Sequence, residues 1–150
     1  MIEARRLRLW GGRYDLVEDG RTVATWERSL WTTGGRLDVD GRSFTVRANL
    51  LGGESSLTEV GGRRVATAHD IGRRSWTIEA DGTTYHFRRA APWRHEERWH
   101  DRGRRLGSVR RTSAWRGDAA ADLPGLPRLV EAFAVAVVLG RWEADAAATG

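Results

Sequence analysis

The feature that most constrains this chain is a glycine that returns every twenty or twenty-one residues: Gly20, Gly41, Gly62, Gly82 and Gly103. Asp19, Asp40 and Asp81 precede three of them, Gly61 precedes a fourth and Arg102 the fifth. Asp-Gly and Gly-Gly supply the positive φ that two-residue hairpin turns require, so each pair predicts a hairpin tip. Between tips the residues alternate. Trp76, Ile78 and Ala80 interleave with Ser75, Thr77 and Glu79, and beyond the turn Tyr85 and Phe87 interleave with Thr84, His86 and Arg88. One apolar face and one wet face is the pattern of an antiparallel sheet that covers a core.

The period also doubles. Val23-Ala24-Thr25 returns as Val65-Ala66-Thr67 and, more loosely, as Leu106-Gly107-Ser108. Leu37-Asp38-Val39-Asp40-Gly41 with Phe44 and Val46 is matched by Ile78-Glu79-Ala80-Asp81-Gly82 with Tyr85 and Phe87. The unit is therefore two hairpins of about 41 residues, used about two and a half times. Five hairpins give ten strands, and flanking segments at Arg5–Trp10 and Thr112–Arg116 bring the expected number to about twelve, over residues 5–116. Residues 117–127 read as a connector of small residues and prolines. The pairs Gly34-Gly35, Gly52-Gly53 and Gly61-Gly62 read as turns.

From Leu129 to Trp142 almost every position is apolar. Pro127 suits the first turn of a helix, whereas Val135, Val137 and Val138 favour a strand locally. A helix apolar on all sides is buried on all sides. The reading is thus mainly β, a single domain over residues 1–150: a closed antiparallel barrel of about twelve strands around a hydrophobic helix at about 128–142, with a tail at 143–150.

In this order the hairpin unit Asp19-Gly20-Arg21-Thr22-Val23-Ala24, Leu30-Trp31, Leu37-Asp38-Val39-Asp40-Gly41 and Phe44-Thr45-Val46-Arg47, the proline connector and the apolar end segment resemble the tubby-like, LURP-one-related proteins, to which the phospholipid scramblases are related. The resemblance runs from about Tyr14 to Trp142 and implies a twelve-stranded barrel threaded by a hydrophobic helix. It also implies recognition of lipid headgroups by a basic surface, with Arg in place of the family's usual Lys.

Motifs of catalysis are missing. The chain has no Cys, no Gly-x-Ser-x-Gly elbow, no phosphate loop and no dinucleotide fingerprint. His95 and Glu97 would share a strand face with Trp93 and Trp99, while His100 points the other way, so spacing places no third metal ligand among His69, His86, His95 and His100. Asp38-Val39-Asp40-Gly41 opens like a calcium loop, but the twelfth position is Asn49 rather than Glu. The expectation is a non-enzymatic module without metal or organic cofactor.

Charge says more than motif. All 25 basic side chains are Arg, and the net charge is +5. Residues 88–116 hold ten Arg against three acids, with Trp93, Trp99 and Trp115 interleaved. Guanidinium binds phosphate bidentately and indole sits at headgroup interfaces. Alternation puts Arg94 and Arg98 opposite Trp93 and Trp99, and the following tip carries Arg102, Arg104 and Arg105. These five are the candidate contacts for an anionic membrane surface or a phosphoinositide-like headgroup. A protein partner that reads the hairpin tips is the alternative, and nucleic acid ranks third because no nucleic-acid fold is recognisable. Without an apolar leader at residues 1–10 or a run of about 20 apolar residues, the expected location is cytoplasmic, extending to the membrane periphery.

Overall fold

A computed structural model describes residues 1–7, 12–29, 34–49 and 53–149. It shows twelve strands and one helix. The strands are β1 (Ile2–Arg6), β2 (Arg13–Glu18), β3 (Arg21–Arg28), β4 (Gly34–Val39), β5 (Arg42–Asn49), β6 (Glu54–Glu59), β7 (Arg64–His69), β8 (Ser75–Ala80), β9 (Thr83–Arg89), β10 (Glu96–Asp101), β11 (Arg104–Arg111) and β12 (Ala119–Asp122); α1 is Arg128–Thr149. Each strand pairs antiparallel with its chain neighbour, and β1 pairs with β12 to close the barrel.

All five expected tips are present. At Asp19-Gly20, Asp40-Gly41, Asp81-Gly82 and Arg102-Gly103 both residues have positive φ, the requirement of a two-residue turn that follows the strands' own twist; Gly61 and Gly62 also have positive φ, but Val60 joins them in a longer turn closed by Glu59 and Arg63. These turns define the tip end of the barrel; the connections before β2, β4, β6, β8, β10 and β12 define the loop end.

The doubled period is visible in the ladders. The first, third and fifth hairpins each carry a bulge at the same place, after Leu16, Leu57 and Trp99, and the other two run without one. The barrel is thus three four-stranded units: β2–β5, β6–β9, and a third that β10 and β11 begin and β12 and β1 complete from opposite ends of the chain.

A barrel of eight strands is just wide enough for side chains to fill. Twelve strands leave room for an α-helix about 10 Å across, and α1 occupies it. Residues Val130 to Leu139 are all buried, Phe133 and Leu139 completely. The inward strand residues Leu16, Trp26, Leu37, Phe44, Leu57, Ile78 and Phe87 surround them. Tertiary burial therefore overrides the strand preference of the three valines. At the tip end Arg128 bonds Glu18 at 2.8 Å and Glu131 at 2.9 Å, anchoring the helix start.

Four expectations change. The twelfth strand is Ala119–Asp122 rather than Thr112–Arg116, so the first half of the expected connector closes the barrel; alanine's weak strand propensity hides it. The first strand begins at Ile2, and residues 8–10 of the expected Arg5–Trp10 lie outside the described residues, as do Leu30-Trp31 and Gly52. The helix extends through the expected tail to Thr149. Gly34-Gly35 lies within β4 rather than a turn: a Cβ on Gly35 would collide with the Glu27 carbonyl and the Trp26 ring, so glycine lets β3 and β4 close over that indole.

Candidate functional site

The five arginines singled out by sequence do not form one patch. Arg94 lies in the loop before β10, at the loop end, and Arg102, Arg104 and Arg105 surround a turn at the tip end. At about 3.3 Å of rise per residue, the length of β10 separates the two groups by roughly 20 Å. Arg98 lies between them on the outer face and donates to Glu96 at 2.7 Å, so that guanidinium is already paired. Next to it stands His100, whose pKa is held below the ordinary imidazole value by loss of water and then by the charges of Arg88, Arg98 and Arg105. Nor do the indoles share a face. Trp99 points inward, whereas Trp93 precedes the strand and is 84% exposed.

Arg94 instead belongs to a cup at the loop end, with a volume of about 490 Å³. Its construction follows from the three-unit architecture. Arg6 at the end of β1 faces Tyr14 on β2, and Arg89 at the end of β9 faces Glu97 on β10; the two pairs hold equivalent positions in successive units. Arg111, the last residue of β11, lies between them, its guanidinium 4.8 Å above the Trp142 ring of the helix. The His95 ring packs against the same indole at 5.5 Å. Partial loss of water, then Arg111 and Arg89, lower the His95 pKa, and Asp145 opposes them. Gly117 has φ 77°, and a Cβ there would press within 3.3 Å of both Arg6 and Arg111, so this glycine admits the two guanidinium side chains to one wall.

The acids around the cup are engaged. Glu143 accepts from Tyr14 at 2.9 Å and lies 3.1 Å from Arg28; Asp145 accepts from Arg141 at 2.9 Å; and buried Glu97 sits 3.6 Å from Arg89 with the Trp76 indole N–H at 3.3 Å. Burial raises the Glu97 pKa, and the Trp76 and Arg89 contacts offset part of that rise. Among the described residues no carboxylate lies within 4.0 Å of the Arg94 or Arg111 guanidinium, and the Arg111 Nε is buried without a hydrogen bond. An anion entering the cup would therefore meet Arg94 and Arg111 with no carboxylate already paired to them.

Two exposed indoles stand on loops that line this opening. Pro92, Arg94 and His95 line it from the loop that carries Trp93, and Ala114 and Gly117 from the loop that carries Trp115, which is 94% exposed. Leu7, at the same end, is 48% exposed. Sequence reasoning found Arg94 and the charge excess of its region. It missed Arg6, Tyr14, Trp142 and Glu143, which closure of the chain ends brings in. The one signal that points to Arg6 and Tyr14 is their equivalence to Arg89 and Glu97, legible only once β12 and β1 are recognised as the missing half-unit.

Among the described residues no group of three or more His, Asp or Glu is placed to hold a metal ion, and no helix is long and apolar enough to cross a membrane. The chain matches no protein-family model, no curated protein and no solved structure.

Proposed function

We propose that this protein is a non-enzymatic binding module that docks its loop end on anionic phospholipid membranes from the cytoplasmic side, receiving a headgroup phosphate in the arginine cup. The observation that carries this reading is the position of exposed Trp93 and Trp115 on the two loops that line the cup holding Arg94 and Arg111. Large exposed aromatics are anomalous on a solvated surface and natural at a headgroup interface, where the ring is half dry and its N–H is wet. A basic residue near an anionic surface adds about 1 kcal/mol of attraction. Arg94 and Arg116 lie on the same loops as the indoles, so the two contributions act at one face. Resemblance to tubby-like barrels supports the ligand class, although the surface proposed here is an end of the barrel.

Co-sedimentation with vesicles of phosphatidylcholine alone, or mixed with phosphatidylglycerol, tests the reading. The protein should follow the anionic vesicles and be released as salt shortens the screening length. Changing Arg94 and Arg116 to Ser, or Trp93 and Trp115 to Ala, should reduce binding at least tenfold. Changing Arg102, Arg104 and Arg105 to Ser should have a smaller effect. Dominance of the tip-end variant would overturn the docking face proposed here, and indifference to lipid charge would leave the protein-partner reading in its place.

A further inference from the structure

A second cavity, of about 730 Å³, opens at the loop end one unit around the barrel from the arginine cup. Its origin is a loss of side-chain volume. The facing pair that is Arg6 and Tyr14 in one unit, and Arg89 and Glu97 in another, is Ala48 and Ser55 in the unit joining β5 to β6. The helix recedes on the same side, presenting Ala136, Gly140 and Ala144 to the space. A Cβ built on Gly140 would meet nothing within 4 Å. Glycine inside a helix is unfavourable relative to alanine, and no neighbour requires it here.

The walls are apolar where they are deep, from Trp26, Val46, Ile71 and Val137, and cationic at the rim, from Arg28 and Arg141. Arg141 bonds Asp145 and lies against Gly72, whose missing side chain leaves room for that guanidinium. Arg28 Nε lies 3.1 Å from Glu143 Oε2, a buried charge pair without hydrogen-bond geometry, while the Arg28 side chain as a whole is 40% exposed at the rim. Glu54, the carboxylate of the wall, faces His69 at 3.7 Å. Small-molecule sites commonly span ~300 to 1,000 Å³ and combine an apolar interior with a few oriented polar groups.

We infer that this cavity binds one fatty-acyl carboxylate, its chain between the helix and β5–β6 and its carboxylate on Arg28. The inference goes beyond the vesicle-docking reading and uses a separate set of residues. Calorimetric titration of the full chain with laurate below its micellar concentration should show saturable binding of one molecule, at least tenfold tighter than dodecyltrimethylammonium, which has the same tail and the opposite charge. Gly140→Ala should melt higher than wild type and still bind laurate. Gly140→Leu, which places four carbons in the cavity, should fold, melt no lower than wild type and lose at least tenfold in laurate affinity. Arg28→Met should weaken laurate alone. Equal binding of laurate by wild type and Gly140→Leu, equal binding of the two amphiphiles, no binding of laurate, or a Gly140→Leu protein less stable than wild type would each overturn the inference. Gly140→Leu should follow anionic vesicles as wild type does, so failure of one reading is separable from failure of the other.

Discussion

The Tyr14 hydroxyl donates to Glu143 Oε1 at 2.9 Å, joining the second strand to the far half of the central helix across 129 positions of sequence. This bond, with Arg28 on the other carboxylate oxygen, holds the last turns of the helix in register with the barrel mouth. Tyr14→Phe removes the donor and leaves a largely buried carboxylate oxygen short of a partner, at a cost of about 1 to 3 kcal/mol. Urea unfolding should show that loss, and hydrogen exchange should accelerate over residues 143–149 first. Unchanged exchange there would mean that the helix end is held by packing alone.

The same contact governs ionisation. Burial first, then the charge and hydrogen bond of Glu143, push the Tyr14 phenol above its ordinary value. In a Tyr85→Phe variant, where Tyr14 is the remaining tyrosine, ultraviolet titration should show no phenolate near pH 10. A normal titration would contradict the closed packing of the barrel mouth.

Glu97 should give stability an unusual dependence on pH. Because burial raises its pKa in the fold, its protonated form is favoured there. Its contribution is present below the unfolded value of ~4.3 and is lost as pH rises through the folded value. Glu97→Gln keeps an acceptor for Trp76 and removes the titration. The variant should therefore gain on wild type as pH climbs from about 4 toward neutrality, by ~1.4 kcal/mol for each unit of pKa elevation. A constant difference across that range would show that Arg89 neutralises Glu97 fully.

Arg102 has φ 50° at a turn position where three sister hairpins carry Asp. A long side chain in the left-handed region is disfavoured, and Asp or Asn tolerates it better. Arg102→Asn should stabilise the protein by about 0.5 to 1 kcal/mol, a rise in melting temperature of ~1 to 4 °C. A lower melting temperature would indicate that the Arg102 guanidinium makes a contact worth more than the strain.

Phe133 is wholly enclosed by the barrel. Phe133→Ala should cost about 3 to 5 kcal/mol, and a chain ending at Leu123 should lose cooperative melting altogether, since twelve strands without the helix surround a void. A truncated protein that melted sharply would show the barrel to be stable while hollow.

How far the fold was legible depended on where local chemistry and tertiary context agreed. Asp-Gly tips and alternation at Trp76 and Ile78 are short-range signals, and the hairpins followed from them. Ala119–Asp122 is a strand because β1 and β11 supply partners on both sides, which its own residues do not announce. Trp93 and Trp99, six residues apart, appear in sequence as one strand face; a loop ending at His95 separates an exposed indole from a buried one. The cup was hidden for a related reason: Arg6 and Arg111 are 105 positions apart and meet only when the ends of the sheet join.

That seam sets the order of events during synthesis. Ile2, Glu3 and Ala4 are made before every other strand of the barrel but pair with Ala121, Ala120 and Ala119, and the helix that must lie inside the barrel follows every strand. While the ribosome is still making the helix, the nascent sheet can form hairpins but cannot close, and its inner face stays wet. Pairings of such long range are the slow ones in folding, and exposed apolar faces and unpaired strand edges invite aggregation. This molecule therefore acquires its interior last, and the interval between the fifth hairpin and the helix is when a chaperone would find it.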